Sequence, residues 1–211
     1  GEPGPVAVVV PYNLLIEVAE QRCLAPADEG VPFDTSAVEQ AIAMLADPKE
    51  RIGIYAGGGC MNAGDSLARV AELLQAPVAT SVSGKGVISE DHPWAVGWGY
   101  GPHAGIVAEN AFNKDKLHPI HSGVSTLLAI GVKFSEVSTG YYGNPRPHRV
   151  IHVDASPRNL GQVMTADVCV NADAGAVQAD PHNAHRVVGA DGQFVKVAAA
   201  HPVFEHALVP A

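Results

Sequence analysis

The chain has 211 residues, 47% hydrophobic and 17% charged, which suits one domain, or one domain and a tail, around a sizeable core. Its net charge of 13 − 22 = −9 excludes bulk attraction to a phosphate backbone and so a nucleic-acid partner, and its longest apolar runs, such as residues 6–10, fall far short of the ~20 residues that span a bilayer. The three cysteines, Cys23, Cys60 and Cys169, form no close pair, which argues against a zinc ribbon or disulfide framework and, with no basic-then-apolar leader at the start, points to a reducing, cytoplasmic setting.

In chain order, residues 1–11 read as the last strand or exit linker of an upstream domain, because Pro3, Pro5 and Pro11 are awkward inside a central strand. Pro26, Gly30 and Pro32 extend that linker, so the segment 1–33 precedes the domain proper. Asp34-Thr35-Ser36 is a helix N-cap cluster, and residues 37–45 are apolar at helical spacing. Residues 51–56 form a short apolar strand running into Gly57-Gly58-Gly59. A helix over 63–75 follows, with Leu67, Val70, Ala71 and Leu74 on one face. A second strand over 77–82 ends at Gly84-Lys85-Gly86. A third, 95–98, enters the glycine-rich loop 97–101, and residues 103–112 suit a helix. The fourth strand, 126–130, ends at Gly131, and the fifth, 150–153, ends at Asp154. Ser156 caps a short helix reaching Val163, and the sixth strand, 168–171, ends near Asp173. No strong element is legible in 181–211, which read as a tail.

Short apolar strands alternating with helices imply an α/β fold: a Rossmann-like, six-stranded parallel sheet with helices on both faces. Right-handed crossovers give the order 3-2-1-4-5-6, with the first strand at 52–56. In such a sheet ligands sit outside the carboxyl ends of the strands, where the strand order switches. Gly57, Gly58 and Gly59 would let a phosphate approach a helix N-terminus, or they make only a tight turn. They do not open a G-x-G-x-x-G fingerprint, since Asn62 stands three residues after Gly59, and the second strand ends without an acid for a ribose hydroxyl. Gly84-Lys85-Gly86 is not a P-loop, because Ala79 holds the place of its first glycine. Asp154 and Asp173 would meet ribose or adenine, or cap the segments that follow. Ten histidines offer no metal-ligand spacing beyond His118 and His121, which Pro119 places in a loop, so no metal site is expected.

Ile54-Tyr-Ala-Gly-Gly-Gly59, Leu74-Gln-Ala-Pro-Val-Ala-Thr80 and Gly84-Lys-Gly-Val-Ile-Ser-Glu-Asp-His-Pro93 resemble the central domain of acetolactate-synthase-like, thiamine-diphosphate-dependent enzymes. Leu127-Leu-Ala-Ile-Gly-Val-Lys-Phe134, Val150-Ile-His-Val-Asp154 and Asn171-Ala-Asp-Ala174 continue the resemblance in order. The resemblance implies a central Rossmann-like domain over 34–180, between a missing N-terminal pyrimidine-binding domain and a missing C-terminal diphosphate-binding domain of one polypeptide, within a homo-oligomer. It implies that thiamine diphosphate and Mg²⁺ are bound by those other domains, through an activating Glu and a Gly-Asp-Gly motif followed by Asn. Here Gly64-Asp65-Ser66 and Ala190-Asp191-Gly192 break that motif, so the chain alone is expected to be inactive and to hold no catalytic residue. Flavin-containing members imply an FAD or ADP-like site at Gly57, Gly58, Gly59, Ser81, Gly84, Gly97, Gly99, Gly101, Lys133, Asp154 and Asp173. At the two positions where those members carry Arg, this chain has Lys133 and Val137, and Lys cannot form a planar, bidentate guanidinium contact. Two other readings are a stand-alone dinucleotide- or FAD-binding module without thiamine chemistry and an interaction module with an unused pocket. An NAD-dependent deacylase would need a four-cysteine zinc ribbon, which three scattered cysteines rule out.

Overall fold

A computed structural model describes residues 5–18, 34–113 and 123–174. The expectations for 181–211, and His118 and His121, lie outside the described residues. Six strands form one all-parallel sheet in the order β3-β2-β1-β4-β5-β6, as the pattern predicts. They are β1 Ile52–Ala56, β2 Val78–Thr80, β3 Ala95–Trp98, β4 Thr126–Ile130, β5 Arg149–Asp154 and β6 Val168–Asn171. The helices are α1 Thr35–Leu45, α2 Gly64–Leu74 and α3 Ile106–Phe112.

Local chemistry explains the helix boundaries. Asp34 begins α1 by accepting the Ala37 N–H at 3.1 Å, and Ala37, Val38, Ala41 and Leu45 line its buried face. α2 ends where Gln75 turns left-handed at φ 47°. Strand alternation then divides the core. Ile54 and Ala56 of β1 face α1 and α2, together with Val38, Leu67, Val70 and Ile151. Tyr55 points to the opposite face and packs with Tyr100, Phe112 of α3, Leu127 and Phe134. Helices therefore cover both faces. Fully burying one such Val, Leu, Ile or Phe side chain contributes about 1.5–3 kcal/mol.

The second core contains a run of rings. Phe112 stacks on Tyr100 at 5.0 Å between centroids, and Tyr100 meets Tyr55 edge-on at 5.1 Å. Tyr55 then meets Phe134 at 5.8 Å, and Phe134 meets His152 at 5.2 Å. This run fixes the segment after β4, since Phe134 is wholly buried although its φ is +55°. Tyr55 reinforces it by donating its hydroxyl proton to the Ser138 carbonyl.

The structure corrects some boundaries. The second strand is three residues long, not six, and the helix expected from 103 begins at Ile106. The helix expected from Ser156 to Val163 is a series of turns. There Asn159 N–H bonds Ser156 O and Gln162 N–H bonds Asn159 O, three residues apart, and Gly161 turns left-handed at φ +67°. Tyr12–Ile16 form a 3-10 helix without a buried residue, and Val6, Val8, Val9, Leu15, Ile16 and Val18 are exposed. No described helix is long and apolar enough to cross a membrane.

A cleft at the carboxyl ends of the strands

The polypeptide leaves β1 toward β2 and β4 toward β5, so the strand order reverses between β1 and β4. Crossover segments diverge there and leave a crevice at the carboxyl ends of the strands. A cleft of about 970 Å³ occupies this position. Gly58 and Gly59 line it from the end of β1, and Ser81 and Ser83 from the end of β2. Gly131, Val132 and Lys133 come from the end of β4, Asp154 and Ser156 from β5, and Asp173 from β6.

The three glycines after β1 differ in role. Gly57 donates its N–H to Ile130 O at 2.9 Å, and Gly59 donates to Gly131 O at 3.1 Å. These bonds join the exits of β1 and β4 and use two of the three N–H groups proposed for a phosphate. A Cβ on Gly57 would collide with the Gly131 carbonyl, and one on Gly59 would lie 2.7 Å from Gly131 Cα. Close backbone approach is thus a sufficient reason for glycine at both positions. Gly58, between them, faces the cleft. The glycines lead into a three-residue 3-10 helix, Gly58–Cys60, and α2 starts only at Gly64. They therefore do not sit at the N-terminus of α2.

The other sequence-expected residues divide by position. Gly84 lies behind the cleft wall against Ala56 and Gly57, and its N–H meets the Ser81 hydroxyl at 3.0 Å. Gly97 borders a separate groove of about 290 Å³ with Thr80, Lys85 and Glu90. Gly99 packs against Ala104, and Gly101 against Asn144. None of these four lines the main cleft, whereas Gly58, Gly59, Ser81, Lys133, Asp154 and Asp173 do. Val137, at the second position where flavin-containing members carry Arg, also lines it.

Asp154 is buried and organises its own loop. One carboxylate oxygen accepts the Ser156 N–H at 2.8 Å and the Asn159 amide at 3.0 Å, while its carbonyl accepts the Asn171 amide at 2.9 Å. The cleft therefore owes the shape of two walls to this residue. Beneath the floor lies Cys60, 1% exposed, with its thiol 3.5 Å from Ile130 O. Burial first, and then the negative charges of Asp173 and Asp154, push the Cys60 thiol up to about 12. The thiol stays protonated at neutral pH and is a poor nucleophile.

His152 completes the support below the loops. It is fully buried, with Nε2 2.8 Å from Val132 O and Nδ1 accepting the Gly161 N–H at 3.2 Å. That pairing fixes a neutral ring with the proton on Nε2, and burial holds its pKa below the usual 6.5. Sequence reasoning missed Asn62, Ser135, Ser138, Ser156 and Asn159 as lining residues. Their common signal is a place shortly after a β-strand or in the loop that follows it, which is informative only once the strands are known. Among the described residues, no three of His, Cys, Asp and Glu gather as metal ligands would.

Comparison with known proteins gives the same architecture a family. Residues 38–180 match the family described as thiamine pyrophosphate enzyme, central domain. The chain is 32% identical over 191 residues to a probable acetolactate synthase large subunit of Methanocaldococcus jannaschii, covering 85% of this chain and 30% of that protein. It is 30% identical over 181 residues to the chloroplastic acetolactate synthase of Arabidopsis thaliana, covering 82% of this chain and 25% of that protein. It is 26% identical over 183 residues to the isozyme 1 large subunit of Escherichia coli, covering 85% and 31%. The chain thus spans less than a third of the length of these relatives. With the six-stranded parallel sheet and the family match over most of its length, this chain belongs to the central-domain family of thiamine pyrophosphate enzymes.

Proposed function

We propose that this chain is the non-catalytic central domain of a thiamine-diphosphate-dependent carboligase or decarboxylase of the acetolactate synthase type, and that it supplies a nucleotide-type cleft rather than thiamine chemistry. The observation that supports this reading is the cleft at the switch between β1 and β4, floored by Gly58 and Gly59 and flanked by Asp154 and Asp173. Asp65, the acid in the Gly64-Asp65-Ser66 sequence, lies in the first turn of α2 and not in a metal-binding loop. Ala190-Asp191-Gly192 lies outside the described residues. The reading assigns thiamine diphosphate and Mg²⁺ to pyrimidine- and diphosphate-binding domains elsewhere in the parent polypeptide. The parent would be a cytoplasmic homo-oligomer. Segment 1–33 would lead from the pyrimidine-binding domain, 34–180 would form the central domain, and 181–211 would lead toward the diphosphate-binding domain. Exposed apolar residues such as Val9, Leu15 and Ile16 support a covering partner for the first segment.

Within the cleft, the adenosine part of a ligand such as ADP or FAD would lie toward Asp154 and Asp173, whose carboxylates accept hydrogen bonds and repel phosphate. Incubating the purified chain with pyruvate, thiamine diphosphate and Mg²⁺ tests the first part. No acetolactate or acetaldehyde should form above a buffer control, and turnover would refute a non-catalytic role.

A further inference from the structure

The face of the sheet covered by α1 and α2 holds a small apolar cavity of about 50 Å³. Ile42 and Leu45 of α1, Leu67 and Val70 of α2, and Val153 and Val170 of the sheet line it. Among the described residues around it, Ser66 alone carries a hydroxyl. A water would fit in that volume, but it needs about two to four polar partners, which aliphatic walls do not offer. Left dry, the void forfeits dispersion contacts on every wall. The occupant that suits it is therefore small and aliphatic.

The course of the chain supplies one. β6 ends at Asn171. Ala172 is buried in the same core, and Ala174, where the described residues end, packs against that core and borders the cavity. The chain thus leaves β6 along this face and arrives at the cavity wall. The next residues are Gly175-Ala176-Val177-Gln178-Ala179. Their apolar side chains are all small, and the run ends at Asp180-Pro181. The family match likewise continues past Ala174 and stops at 180.

We propose that the run 175–179, with Val177 as its largest apolar side chain, seats in this cavity between α1 and α2 and anchors the exit of the chain from the sheet. The inference goes beyond the proposed function: it holds whatever the parent enzyme catalyses and whatever the strand-end cleft binds. An anchor there sets the point from which 181–211 depart.

Methyl-labelled NMR of the full chain tests this. Nuclear Overhauser contacts should join methyls of Ala176, Val177 or Ala179 to those of Ile42, Leu45, Leu67 or Val153, and their absence would overturn the proposal. Val177→Asp should lower the urea midpoint, because it brings a charge among aliphatic walls, whereas Val195→Asp, beyond the run, should leave it unchanged. Equal shifts in the two variants would also overturn it. Xenon, which enters dry aliphatic voids, should shift the cavity methyls in Val177→Gly more than in the unaltered chain. Equal xenon shifts in both would mean that the cavity stands open to a small apolar ligand and that the run lies elsewhere.

Discussion

His152 shows how a histidine without metal-ligand spacing in sequence becomes structural. Its ring is held neutral between Val132 O and the Gly161 N–H and lies edge-on to Phe134. Because its folded pKa lies below the unfolded value of 6.5, the unfolded chain binds more protons just below that value. The stability that this pairing contributes is therefore complete above about pH 6.5 and is lost as the pH falls toward the folded pKa. The urea midpoint should drop between about pH 7.5 and pH 5.5, and His152→Gln should flatten that drop. An equal drop in both proteins would assign the effect to other groups. Glu50 acts in a lower window. Burial would raise its pKa, but hydrogen bonds from Ser125 and Thr126 and the charge of Arg149 outweigh that and lower it from 4.5. Its contribution is present above pH 4.5 and is lost below it. Neither partner set was legible in sequence: Glu50 and Ser125 are 75 residues apart, and His152 and Val132 are 20 apart.

At the scale of elements, the sequence exposed strands and helix caps better than it exposed turns. Asp34 at the start of α1 and the β1 strand before three glycines were readable from local chemistry alone. The segment after β5 was not. Ser156 looked like a helix cap, but Asp154 captures the Ser156 N–H and His152 captures the Gly161 N–H, so side chains of β5 just upstream replace a helix with turns. The glycines after β1 show the same limit. Their position is legible, yet whether they serve a ligand or a backbone crossing depends on β4, some 70 residues later. If the crossing governs Gly59, Gly59→Ala should lower stability by about 1–3 kcal/mol through overpacking against Gly131. Chemical denaturation reads this as a lower midpoint at unchanged slope. A shift below about 0.5 kcal/mol would mean that the two exits relax at little cost.

Across the whole molecule, strand order and fold class followed from alternation of apolar segments, because each crossover must be right-handed and each face must be covered. The cleft's location followed too, but much of its lining did not, since it depends on which loop side chains the fold brings together. The segment Val6 to Val18 is apolar in sequence yet carries no share of the core. Replacing Val9 and Ile16 together by Asp should therefore move the unfolding midpoint by less than about 0.5 kcal/mol while reducing binding of a hydrophobic dye. A larger loss would mean that the segment packs on the domain. The central pairing of the sheet also bears on how the chain is made. β1 finds β4 only across the stretch between Ala56 and Thr126. On a ribosome adding about 5–20 residues per second, roughly 4–14 s separate the appearance of the two strands. During that interval β2 and β3 are added beside β1, while the side of β1 that β4 will occupy keeps its backbone donors and acceptors open. An open strand edge is a template for another nascent chain, so crowded synthesis on one message would be the stage at which this protein is most exposed to mispairing.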